Sequence, residues 1–185
     1  ATTAIRPVAL SVFTQQAAEL GNPSSLHTAG RHSRRIVEES RESIAAELGV
    51  RPNDVVFTSG GTEADNLALK GLFWSAVDED PARRTLLISA IEHHAVLDAA
   101  EWLVAREGAS LVTIPVGADG VIDVDWLGAY LHEHGTEVAV CAVMWANNET
   151  GVIQPVGMVA AACETFDVPF HCDGVQAVAW LADRT

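Results

Sequence analysis

The chain has 185 residues, 49% of them hydrophobic and 19% charged, which is enough apolar material for a buried core and excludes a disordered segment. Twenty-five acidic against 11 basic residues give a formal net charge of -14, so nucleic acid and anionic membrane surfaces would repel it. The longest apolar run, Val138 to Ala146, is far shorter than the roughly 20 residues of a membrane helix. Three cysteines, Cys141, Cys163 and Cys172, are an odd number at no metal-binding spacing; they fit a reducing, cytoplasmic setting and no metal site. Lys70 is the sole lysine, so chemistry needing an amine must use it or go elsewhere. No basic segment followed by an apolar one opens the chain, so no secretory signal is expected.

In chain order, the turn-rich Gly21-Asn22-Pro23-Ser24-Ser25 precedes a helical pattern from Thr28 to Leu48, with Gly49 as a left-handed stop. Val55-Val56-Phe57 reads as a strand. Thr58-Ser59-Gly60-Gly61-Thr62 then leads into a second helix carrying Leu67, Leu69, Leu72 and Phe73. Strand, helix and strand follow at Leu86–Ile88, Val96–Val104 and Leu111–Ile114. Asp123 is placed to cap a helix through Trp126, Leu127, Tyr130 and Leu131, closed by Gly135. Val138–Met144 is apolar on both faces, the mark of a parallel sheet. A helix over Val156–Phe166 and a strand over Val168–Cys172 complete the alternation, which reads as a single α/β domain over residues 1–185.

In such folds ligands bind at the carboxyl ends of the strands, and four polar clusters fall at expected strand ends. Ser59-Gly60-Gly61-Thr62-Glu63 lets the backbone approach a ligand and offers helix amides to a phosphate; its alternative is a tight turn with Thr62 as a cap. It matches neither the dinucleotide fingerprint nor a P-loop. Glu92-His93-His94 sets an imidazole where it could stack on a flat ligand or shuttle a proton. Asn147-Asn148-Glu149-Thr150-Gly151 ends the most apolar strand, as a turn or a site. In His171-Cys172-Asp173-Gly174-Val175-Gln176, a carboxylate at Asp173 needs a partner if buried, and a pyridinium nitrogen would serve; the alternative is a helix cap, with Cys172 a small core residue. Together the clusters point to a phosphorylated aromatic cofactor.

These clusters, with their order and spacing and with the Gly21–Ser25 turn followed by His27, resemble the cysteine desulfurases, which are class V, fold type I pyridoxal phosphate enzymes. The resemblance implies a three-layer sandwich with a mainly parallel sheet, the large cofactor domain of such an enzyme, truncated. It implies that Gly61 and Thr62 hold the cofactor phosphate, that His93 stacks on the ring and assists proton transfer, that Asp173 pairs with the ring nitrogen, and that Asn148 and Gln176 lie beside the ring, with Gln176 on the phenolic oxygen. The implied reaction takes sulfur from L-cysteine as an enzyme persulfide, releases L-alanine, and passes sulfur to an iron-sulfur scaffold or other acceptor protein, in a homodimer without membrane or direct nucleic-acid contact. In the family the Schiff-base lysine, the catalytic cysteine and the small domain lie beyond the Asp-to-Gln motif. The chain is therefore expected to match the first half of such an enzyme, as a truncated chain, a proteolytic fragment or one part of a split protein, and to be inactive alone. Selenocysteine lyases and other class V enzymes share much of the pattern. A non-catalytic α/β scaffold is the alternative from another class.

Overall fold

A computed structural model describes residues 4–178. They divide into two compact units, with the division in the chain between Phe57 and Thr58. The first holds α1 (Pro7–Ala17) and α2 (Thr28–Leu48). Proline at the first helical position suits α1 because its fixed φ is already helical and its missing N–H would have had no partner. The Asn22 carbonyl accepts from Ser25 N–H at 2.9 Å, and Asn22 Oδ1 accepts from Ser24 N–H at 2.9 Å. This turn presses on α2 at Gly30, where a β-carbon would stand 2.4 Å from the Ser25 carbonyl oxygen. Only glycine tolerates that approach. Helix α2 stops at Gly49 in the left-handed conformation (φ 66°), as its sequence predicts.

The strand expected at Val55–Phe57 does not form. The segment is extended, but no described strand pairs with it, and Val56 is 65% exposed. Three apolar residues satisfy a strand pattern locally, yet a strand needs a ladder partner to satisfy its backbone.

The second unit alternates α3 (Gly61–Glu79), β1 (Thr85–Ser89), α4 (His94–Glu107), β2 (Ser110–Ile114), α5 (Val124–His134), β3 (Val138–Ala142), α6 (Val156–Thr165) and β4 (Phe170–His171). All strand pairs are parallel, in the order β2-β1-β3-β4. Asp123 caps α5 as expected, its Oδ1 accepting from Trp126 N–H at 2.9 Å. Beyond the end of β3 the pairing continues irregularly, with Val143 N–H on the His171 carbonyl and Trp145 N–H on the Asp173 carbonyl. These two bonds carry the strand-end geometry out to the polar clusters.

The pleat divides the core between the sheet's two faces. Leu86 and Ile88 of β1 join Val140 and Ala142 of β3 under α3 and α4, with Leu69, Phe73, Val96 and Leu103. Leu87, Val138, Cys141 and Val143 pack against α5 and α6, through Leu127, Leu131, Val159 and Cys163. A register shift between Thr85 and Leu86 pairs them with Val138 and Val140, so Ala139 is unopposed and turns to the α3–α4 face with Val140. The result is a three-layer α/β/α arrangement, as the family resemblance implies.

Candidate functional site

Helix α3 begins at Gly61, and its first turn leaves backbone N–H groups without intrahelical partners. Its cap is Gly60 and not Thr62. The approach loop is held instead by Glu63, whose Oε2 accepts from Ser59 N–H at 2.7 Å and from Ser59 Oγ at 2.5 Å. With the strand at 55–57 absent, this cluster is fixed by the helix start and not by a strand end.

His93 caps α4 and follows β1. Its Nδ1 accepts from Ala95 N–H at 3.1 Å, so Nδ1 carries no hydrogen and Nε2 carries the proton of the neutral ring. Asn148 lies in the loop after β3, where Asn147 Oδ1 accepts from Glu149 N–H and Thr150 N–H, each at 2.9 Å. Asp173 follows β4; it is 6% exposed and its Oδ1 accepts from Val175 N–H at 3.0 Å.

All six residues singled out from the sequence, Gly61, Thr62, His93, Asn148, Asp173 and Gln176, line one pocket. It also takes in Asp65, Ala95, Met144 and Val175. One wall is a helix N-terminus, which favours an anion. Another is an imidazole, and the lining also holds the buried Asp173 carboxylate, which favours a cationic N–H. Lys70 does not line it: its ammonium sits over the Trp102 ring at 4.4 Å, between α3 and α4. Cys172 is no nucleophile here. Burial, with the Glu92 and Asp173 carboxylates nearby, pushes its thiol up to about 12, so it stays protonated.

Two buried acids were given no role by the sequence patterns. Asp65 is 4% exposed and meets His171 Nε2 at 3.1 Å, tying α3 to β4 beneath the pocket. Its signal was present: it shares the inward stripe of α3 with Leu69, Phe73 and Ala76, and a carboxylate on a core-facing stripe must be paired. Glu92 is likewise buried, and burial holds its carboxyl above the ordinary glutamate range, against hydrogen bonds from Ser89 and Met144 that pull it down.

Among the described residues, no group of three or more His, Cys, Asp or Glu is placed to hold a metal ion. No described helix is long and apolar enough to cross a membrane.

The class-V aminotransferase family model matches residues 1–181. An IscS-like cysteine desulfurase of Mycobacterium tuberculosis is 47% identical over 181 residues, covering 98% of the chain and 46% of that protein. Among solved structures, a NifS-like protein superposes with a TM-score of 0.85 at 32% identity, over 96% of the chain and 47% of its own. SspA, solved in complex with cysteine, superposes with a TM-score of 0.80 at 29% identity, over 92% of the chain and 47% of its own. The chain thus spans about half the length of the relatives it matches.

Proposed function

The chain belongs to the class-V aminotransferase family, and from that membership we propose that it supplies the cofactor-holding part of a pyridoxal phosphate-dependent cysteine desulfurase. The observation that carries this reading is the buried Asp173 carboxylate, which lines the same pocket as the N-terminus of α3 and the His93 ring. That donor set fits pyridoxal phosphate: an anion site for the phosphate, a flat ring face, and a carboxylate for a protonated ring nitrogen. When bound, the cofactor supplies an electron sink for cleavage at the substrate's carbon.

The chain's own residues do the positioning. Gly61 and Thr62 present the first amides of α3 to the phosphate, where backbone donors and the helix dipole act together. Asp173 keeps the ring nitrogen protonated by holding its proton in a charge-assisted hydrogen bond, which strengthens in a site withdrawn from water. His93 would cover one ring face, and its Nε2–H can donate a hydrogen bond to a reacting atom within reach. Asn148 and Gln176, which line the same pocket, would flank the ring, with Gln176 serving the phenolic oxygen. Asp65 and His171 brace α3 against β4, so that phosphate and nitrogen partners keep their spacing.

The substrate of the whole protein is L-cysteine. Its sulfur passes to the thiolate of a catalytic cysteine as a persulfide, L-alanine leaves, and the persulfide sulfur goes on to an iron-sulfur scaffold or other acceptor. The whole protein works as a cytoplasmic homodimer in iron-sulfur cluster biogenesis. Because Lys70 is the sole lysine and its amine is engaged with Trp102, the 185 residues alone are expected to release no alanine. The test is to assay the full-length gene product containing them with pyridoxal phosphate and L-cysteine. Alanine with enzyme-bound persulfide is the expected result. Turnover of selenocysteine alone would reassign it as a selenocysteine lyase, and no turnover of either would favour a scaffold.

A further inference from the structure

Glu92 immediately precedes His93 and is 7% exposed, a position where a carboxyl group is costly unless its oxygens are used. Its Oε1 accepts from Ser89 Oγ at 2.5 Å and from Met144 N–H at 2.6 Å. One oxygen therefore joins the carboxyl end of β1 to the segment beyond β3. Its Oε2 is buried and has no hydrogen-bond partner among the described residues, so the second oxygen contributes no tie of its own. Nearby, Asn147 Nδ2 donates to the Ile91 carbonyl at 3.0 Å, a second link between the same two segments. His93 continues one segment and Asn148 the other, and both line the pocket.

We propose that Glu92 is a positioning residue: through Oε1 it locks the turn bearing His93 to the segment bearing Asn148, and so sets where these two side chains stand in the pocket. The role needs a buried acceptor at Oε1 and no negative charge. A glutamine amide oxygen can accept the same two hydrogens in the same place, whereas alanine leaves Ser89 and Met144 without a partner. The consequence for cofactor binding rests on the pyridoxal phosphate reading of the pocket; the clamp itself does not.

Backbone hydrogen exchange separates the two. In Glu92→Ala the Met144 amide is expected to exchange about tenfold faster or more, while Leu87 and Val140 in the sheet keep their protection, because a local bond and not the global fold is lost. Glu92→Gln is expected to stay within about threefold of the unsubstituted chain. Pyridoxamine 5'-phosphate, which has no aldehyde and so cannot label Lys70, should bind about tenfold more weakly to the alanine variant and near normally to the glutamine variant. If Glu92→Ala fails to fold, Ser89→Ala removes one donor and keeps the Met144 bond, and should leave the Met144 amide protected. A Met144 amide that stays protected in Glu92→Ala, or that opens equally in Glu92→Gln, overturns the clamp. Failure of the unsubstituted chain to bind the probe would overturn the cofactor reading instead, with the exchange data still deciding the clamp.

Discussion

Replacing Asp173 by alanine is expected to weaken pyridoxamine 5'-phosphate binding about ten- to a hundredfold, the size of one charge-assisted hydrogen bond withdrawn from a buried site. The side chain is 6% exposed, lines the pocket, and among the described residues accepts a hydrogen bond from Val175 N–H. A carboxylate has acceptor capacity beyond that one bond, and a protonated ring nitrogen in the pocket would be a natural partner for it. Asparagine should recover the Val175 bond without the charge, and so restore folding more than affinity. Isothermal titration of the three proteins checks this, with circular dichroism to establish that each is folded. Equal affinities would remove Asp173 from the site and leave it as a cap of the segment after β4.

The second large effect is on stability. Phe73 is 1% exposed on the inward face of α3, packed with Leu69, Val96, Leu103 and the sheet residues Leu86 and Val140. Phe73→Ala should cost about 3–5 kcal/mol, because the lost transfer energy is compounded by a cavity that a helix laid on a sheet cannot collapse to fill. Urea unfolding followed by circular dichroism measures it. The consequence reaches the site, since the same helix presents Gly61, Thr62 and Asp65 at its first turns. A cost below about 1 kcal/mol would mean that the layer relaxes around the gap and that α3 is not a rigid mount.

Much of the second unit was legible before any coordinates. The unbroken apolarity of Val138–Met144 marks a strand covered on both faces, and β3 is the strand between β1 and β4. Asp123 marks a helix start there, as Gly49 marks a helix stop in the first unit, through local chemistry that tertiary context did not override. Four of the six pocket residues, His93, Asn148, Asp173 and Gln176, are legible because parallel strands deliver their carboxyl ends to one edge, whereas Gly61 and Thr62 reach the pocket through the start of α3.

What was not legible depended on partners that one segment cannot reveal. Val55–Phe57 carries strand-forming residues but finds no described strand to pair with. Helix α1 escaped the pattern because Val8, Leu10, Val12 and Phe13 fall on no helical stripe and are all exposed. Its start rests on Pro7, and within it Thr14 Oγ1 donates to the Leu10 carbonyl at 2.8 Å, which apolar periodicity does not register. Asp65 pairs with His171, 106 residues away, and Glu92 joins the nearby Ser89 to Met144, 52 residues away, so neither pairing shows in local sequence. A buried acid is recognised by what it touches, and that is a property of the fold.

The most direct test of the account is calorimetric titration of the unsubstituted 185-residue chain with pyridoxamine 5'-phosphate. The expected result is saturable binding of one molecule per chain, weakened by Asp173→Ala and by competing inorganic phosphate. A folded chain that takes up no probe, or one whose binding ignores both Asp173 and phosphate, would contradict it.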